Sequence, residues 1–473
     1  MDGGLSSAWA SLAYVLYLLY AVLRVMRKPT EGAVEYLVAG RRLTLPAFVA
    51  TLVSTWYGGI LGVGEYAWRH GLSNWLVFGL PYYLYALVFA LALAARARRS
   101  RMLSIPDLLE KRYGRGPALV GAGTLFVMTA PAAYVLMLGV MVQLATGWPL
   151  WICVGLGALL SVSYVFRGGL KAIVETDCVQ FVLMFTGFLI LVPVCIVRYG
   201  GWDWLRANLP ATHLTWDGGL GGQAIFVWYF IALSTLVEPA FYQRCYAARD
   251  EKTARRGILV AIAFWIVFDF LTTTAGLYAR ALMPDLADPM QAFPALGAMV
   301  LPGFWHGVFV AGLLATIMST VDSYAFIAAV TLGRDVVGRW RRWDDDRALR
   351  SSQWSLAATA VVATVLALTA GSVITLWKVL GSVGTPVLLL PLALAHTRRR
   401  VAGARVMVSM VLAGAVSLGW LLLGRGGPWL GVEAIFPGLL ASAAVLAPVW
   451  LRSASSQGPP WAEEGIHRDD LDT

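Results

Sequence analysis

The chain has 473 residues, of which 59% are hydrophobic and only 14% charged, and its mean hydropathy is +0.69. Ordinary globular chains carry about 25% charged residues, so a soluble enzyme or binding domain is excluded. The net charge of +10 does not indicate a nucleic-acid partner, because the charges fall in short loops between apolar runs rather than on one face.

Those runs are about 20 residues long, enough to cross a bilayer as helices, and they lack the short alternating pattern of a membrane β-barrel. The expected class is an all-α polytopic membrane protein with about thirteen transmembrane helices. In chain order the spans fall near 8–26, 45–66, 74–96, 119–143, 147–166, 172–198, 220–241, 257–279, 303–331, 353–371, 374–395, 404–424 and 430–451. The first follows "GGLSSAWAS", which lacks the basic lead-in and cleavage site of a signal peptide, so a retained span is expected. Loops rich in Arg and Lys, such as "RARRSRMLSIPDLLEKRYGR" and "GRDVVGRWRRWDDDR", alternate with loops that have few. Basic loops stay on the cytoplasmic side. This places the N-terminus outside and the C-terminus inside, as an odd number of spans requires. Residues 1–452 are then expected to form a single transmembrane domain, and 453–473 a polar, disordered cytoplasmic tail too short for a signalling module.

Polar side chains within such spans have to find partners and are commonly functional. Four segments stand out. "ATIMSTVDSYAF", 315–326, sets Thr316, Ser319, Thr320 and Ser323 on one helical stripe beside Asp322. Hydroxyl and carboxylate oxygens together suit a hard monovalent cation, whereas each hydroxyl alone reads equally as one bonded back to its own helix. "LVSTWYGGILGVGEY", 52–66, holds four glycines inside a span. They read either as a broken helix with freed carbonyls or as close helix packing. "RGGLKAIVETDCVQF", 167–181, brings Glu175 to the headgroup level and Asp177 toward the bundle interior. In "STLVEPAFYQRCYAARDEKTARR", 234–256, Glu238-Pro239 ends or kinks a span. The polar run that follows reads as a solvated cytoplasmic helix.

Cys153, Cys178, Cys195 and Cys245 show no paired spacing and read as core residues. The five histidines lie in or beside loops, and no metal-ligand spacing is present, so an enzyme is not expected.

Taken together, "VAGRRLTLPAFVATLVSTWYGG", "GGLKAIVETDCVQ", "EPAFYQRCYAARDEKTARRG" and "ATIMSTVDS" followed by "GRD" resemble the sodium:solute symporter family, which includes sodium-coupled proline, sugar, sialate and pantothenate carriers. The resemblance spans roughly 36–335. It implies a leucine-transporter-like core of two inverted five-helix repeats, 45–198 and 220–395, preceded by an extra helix at 8–26 and followed by two helices at 404–451. It also implies a sodium ion, as transported co-substrate, held by the carbonyls of Thr55, Gly58 and Thr316 and the hydroxyls of Ser319 and Thr320. A second sodium site, found in some relatives, maps onto Asp177, Ser319, Asp322 and Ser323. The substrate contacts map near Trp56, Tyr57, Ile231 and Thr235. Glu65, late in the first core span, reads either as a group that recognises a substrate amine or as an i,i+4 partner of Arg69.

Here Tyr57 takes a place that is acidic in the proline carriers, and "ILGVGEYAW" departs from the sugar carriers. The implied function is uptake of a small organic solute driven by inward sodium flux across the plasma membrane, with no obligate protein partner. A proton-coupled or uncoupled carrier on the same fold and a transporter-like sensor are the alternatives.

Overall fold

The computed structural model describes residues 13–24 except 15 and 22, 32–370, 373–397 and 399–451. Among the described residues the chain is helical, with only isolated β-bridges at Leu43–Ala248 and Trp429–Val432. Among the described residues ten helices are long and apolar enough to span a membrane, and two shorter apolar ones cover Leu150–Leu159 and Ile435–Val449. Most of the expected first span, 8–26, and the whole 453–473 tail lie outside the described residues. The described helices therefore do not by themselves give thirteen spans.

Two spans are interrupted near their middles. In the first, α1 (Leu45–Trp56) and α2 (Ile60–His70) are joined by a 3₁₀ turn over Tyr57–Gly59. Pro46 starts α1, where its missing N–H costs nothing. Both readings of the glycines hold at the turn, where the helix tightens and neighbours press close. A Cβ on Gly58 would lie 2.1 Å from Thr320, and one on Gly59 2.1 Å from the Trp377 ring.

A helix at Ile105–Tyr113, α3, opens on a capping box in which Ser104 and Asp107 satisfy each other's backbone. The expected spans 147–166 and 172–198 are two helical stretches within Leu150–Tyr199 (α4), separated by a sharp break at Gly169, whose φ of 57° few other residues adopt.

The second interrupted span runs from α5 (Gly222–Ile231) through a 3₁₀ stretch at Ala232–Val237 to α6 (Pro239–Ala247). Glu238 caps α6 through its side chain. Every residue of α6 is buried. The expectation of a solvated cytoplasmic helix after Pro239 is therefore wrong over 239–247. Proline stops one helix and starts another, and aromatic neighbours draw the second inward. The remaining elements of the site are α7 (Glu251–Leu282), α8 (Gly303–Val330) and α9 (Val373–Ala395).

The basic-rich loops gather at one end of the molecule. There Leu43 pairs with the chain at 247–249 through two backbone hydrogen bonds of 3.0 Å, and Arg41 donates to the carbonyl of Arg101 at 2.6 Å. Asp107 accepts from Arg334 and Arg339, each at 2.9 Å. Burial alone would raise the Asp107 carboxyl, but the two guanidiniums hold it below the ordinary carboxylate range.

Candidate functional site: a buried polar cluster beside an aromatic cavity

The stripe predicted on 315–326 faces α1. Thr320 donates its hydroxyl hydrogen to the Thr55 carbonyl at 2.7 Å, and Gly58 lies against the same side chain. Ser319 donates to Asp177 at 2.6 Å and lies 2.9 Å from the Ser54 hydroxyl. Thr316 sits one turn earlier, where its hydroxyl is bonded back to the Gly312 carbonyl at 2.7 Å. Thr55, Gly58, Ser319 and Thr320 thus converge from elements more than 250 positions apart, all of them buried.

The residues implied for a second ion behave differently. Asp177, Ser319 and Ser323 meet, but Arg244 of α6 reaches into their midst. Its Nη2 donates to the hydroxyls of Thr51 at 3.1 Å, Thr55 at 2.9 Å and Ser323 at 2.7 Å, and it lies 3.7 Å from Asp177. Both charged side chains are fully buried. The Thr51 hydroxyl closes the other side of the Asp177 carboxylate. Asp322 is also buried, on the side of α8 that faces Tyr14. Arg244 is absent from the sequence-predicted site, because a basic residue in a polar run reads as solvated. Its flanking Phe241, Tyr242, Cys245 and Tyr246 were the contrary signal, being apolar or aromatic on both sides.

Next to this cluster, between the two interrupted spans, lies a cavity of about 150 Å³. Trp56, Tyr57 and Ile231 line it, as the sequence leads one to expect. Thr235 is buried outside its lining, which takes the neighbouring Ser234 instead. Glu65 is not a lining residue, and it pairs with Arg69 at 3.1 Å, which favours the bland reading of that residue.

The walls are strongly aromatic. Trp56 packs edge-on against Tyr82 at 5.4 Å, Phe78 against Trp377 at 5.9 Å, and Tyr134 against Tyr324 at 5.3 Å. Two acids complete the lining, Glu238 at the second helix break and Asp269 of α7. Tyr83 donates to Asp269. Asp269 stands alone in the apolar run "IVFDFL", a pattern that flags function inside a membrane, although the helical stripe on 315–326 is the louder signal.

A deeply buried polar cluster at one helix break, adjoining a solute-sized cavity between both, defines a membrane transporter with a leucine-transporter-like core. Residues 36–412 match the sodium:solute symporter family, and the chain belongs to that family. It is 27% identical to the sodium/pantothenate symporter of Escherichia coli (strain K12), over 91% of this chain and 93% of that one. It is 26% identical to the high-affinity proline transporter PutP of Bacillus subtilis (strain 168), over 94% and 98%.

The fold is similar to that of a substrate-bound, outward-open Na+-coupled sialic acid symporter, with a TM-score of 0.77 at 13% identity, covering 94% of this chain and 96% of that one. It also resembles MHP1, a nucleobase-cation-symport-1 family transporter in a closed conformation, with a TM-score of 0.57 at 14% identity over 88% and 96%. The protein is therefore a multi-pass secondary transporter and not an enzyme.

Proposed function

We propose that the chain takes up a small organic solute by coupling it to one sodium ion, bound where α8 meets the first helix break. The observation that carries this reading is the convergence of Thr320, Thr55 and Gly58: a hydroxyl 2.7 Å from a backbone carbonyl, beside a glycine whose absent side chain leaves room for that approach. Sodium would insert between these oxygens, drawing on the carbonyls of Thr55, Gly58 and Thr316 and the hydroxyls of Ser319 and Thr320. It would replace the Thr320 hydrogen bond and tie α8 to α1. Ligands shift a conformational equilibrium only by their differential affinity. The ion acts by binding best when these two helices are together.

A second ion is disfavoured in this arrangement. Asp177 and Ser323 already face the Arg244 guanidinium, and Ser319 bonds Asp177 beside it, so another cation there would meet like charge. One sodium ion entering across 100 mV contributes about 2.3 kcal/mol, and a tenfold gradient about 1.4 kcal/mol. The sum supports a few-hundred-fold accumulation of a neutral solute.

The basic-rich end is taken as cytoplasmic, with the N-terminus outside, and residues 45–198 and 220–395 as the two repeats. The contacts among Leu43, Asp107, Arg334 and Arg339 would then close the inner side while solute enters from outside.

The test is a thermal-unfolding titration of the purified protein with sodium against potassium. Sodium should raise the midpoint selectively, and Ser319→Ala and Thr320→Ala should each move that response to higher sodium. Equal effects of the two ions would overturn sodium coupling. A sodium response unchanged in both variants would remove the site.

A further inference from the structure

The inference concerns the solute, and it rests on the reading of the aromatic cavity as the solute site. We propose that the transported solute is a small organic cation, a quaternary or protonated amine or a guanidinium, caged by Trp56, Tyr82, Tyr134 and Trp377 and neutralised by Asp269 and Glu238.

Charge is the first argument. Both acids line the cavity, and none of its lining residues is Lys, Arg or His. Among the described residues neither acid has an ion-pair partner within 4.0 Å; the one guanidinium nearby, Arg244, is paired with Asp177. The partners they do have are weak counterweights. Asp269 faces the hydroxyls of Tyr83 and Tyr57, and Glu238 the backbone N–H of Ala240 at 3.3 Å and the Tyr324 hydroxyl, all of them neutral groups. Buried charge is tolerated when paired, so a cavity holding two acids and no base is completed by a ligand that brings positive charge. An anionic solute would meet both acids with nothing to offset it.

The second argument is the wall. Seven aromatic rings, those of Trp56, Tyr57, Phe78, Tyr82, Tyr134, Tyr324 and Trp377, surround the same space. Ring faces attract cations, most strongly when water is excluded.

Size narrows the class. A cavity of about 150 Å³ is of the volume that holds a benzene-sized molecule, so the solute has on the order of five to ten non-hydrogen atoms. The positive charge also bears on energetics, because the membrane potential then drives solute and sodium in the same direction.

Equilibrium binding to the purified full chain in sodium buffer tests the proposal. The cations are choline, tetramethylammonium and methylguanidine. Dimethylbutanol, the uncharged carbon isostere of choline, betaine, its zwitterionic counterpart, and pantothenate, an anion, serve as comparators. At least one cation should bind, at least about tenfold more tightly than its uncharged or zwitterionic counterpart. Asp269→Asn and Glu238→Gln, which preserve shape, should each weaken it by about tenfold or more.

Failure of all three cations to bind, or equal binding of choline, its isostere and betaine, would overturn the proposal. The sodium-against-potassium response of the ligand-free protein, read in the same samples, reports separately on the transport reading. If that response persists while the cations fail, the solute class is wrong and sodium coupling stands. If it vanishes, coupling itself is wrong.

Discussion

Two neighbouring regions of the membrane interior both contain buried acid, and they are completed in opposite ways. Around Asp177 the protein supplies the partners itself: the Arg244 guanidinium and the hydroxyls of Thr51 and Ser319. Around Asp269 and Glu238 it supplies aromatic walls and a void. The first region is filled by the chain's own cation, and the second is shaped for one that arrives. The lesson is that burial of an acid does not by itself indicate a ligand; the missing counter-charge does.

The sharpest way to break this contrast is to empty the first region. Arg244→Met leaves the Asp177 carboxylate buried without its cation and should destabilise the protein by about 3–5 kcal/mol. Adding Asp177→Asn should recover much of that loss, measured by thermal unfolding of the single and double variants. If the single variant is as stable as the wild type, the pair is not the closed unit described.

Crowding the boundary between the regions comes next. Gly58→Val places atoms where Thr320 already lies 2.1 Å from an added Cβ. Sodium stabilisation should disappear, whereas Gly123→Ala, at a position with open space around it, should leave it intact. Thr320→Ala has a milder effect, because it removes one oxygen. A lost hydrogen-bonding group is worth about 1 kcal/mol, so the half-saturating sodium concentration should rise roughly fivefold.

Smaller still is the response at the basic-rich end. The folded-state value of the Asp107 carboxyl is depressed, so its stabilising contribution is present at and above the usual carboxylate value of 3.8 and is lost as pH falls through the lower folded value. Asp107→Asn should lower thermal stability at neutral pH, and the difference from the wild type should shrink on acidification below that range. The least effect is expected for Glu65→Gln. Its Arg69 partner is half exposed, and such pairs contribute about 1 kcal/mol or less, so solute binding should not change.

The two regions also differ in how plainly the sequence announces them. The hydroxyl stripe of α8 is visible because its spacing matches a helix turn, and the first helix break because glycines crowd one span. Glu238-Pro239 marks the second break for the same local reason. Arg244 is hidden, since nothing local distinguishes an arginine drawn inward by aromatic neighbours from one in a wet loop; α6 has to be packed before its burial appears. The cavity is likewise a product of packing. Trp56, Tyr134, Asp269 and Trp377 come from four segments, and their spacing in the chain carries no sign that they share a wall. The boundary between the expected spans 147–166 and 172–198 is announced by "RGGLK", and the helix breaks there at Gly169.

At the centre of the account is a lone alkali ion that joins α1 to α8, with Arg244 standing in for any companion. Equilibrium binding of radiolabelled sodium to the purified protein, wild type beside Thr320→Ala, addresses it most directly. A stoichiometry of one per chain, with affinity reduced by loss of the Thr320 hydroxyl, is the predicted result. Two ions per chain, or binding indifferent to that hydroxyl, would contradict it.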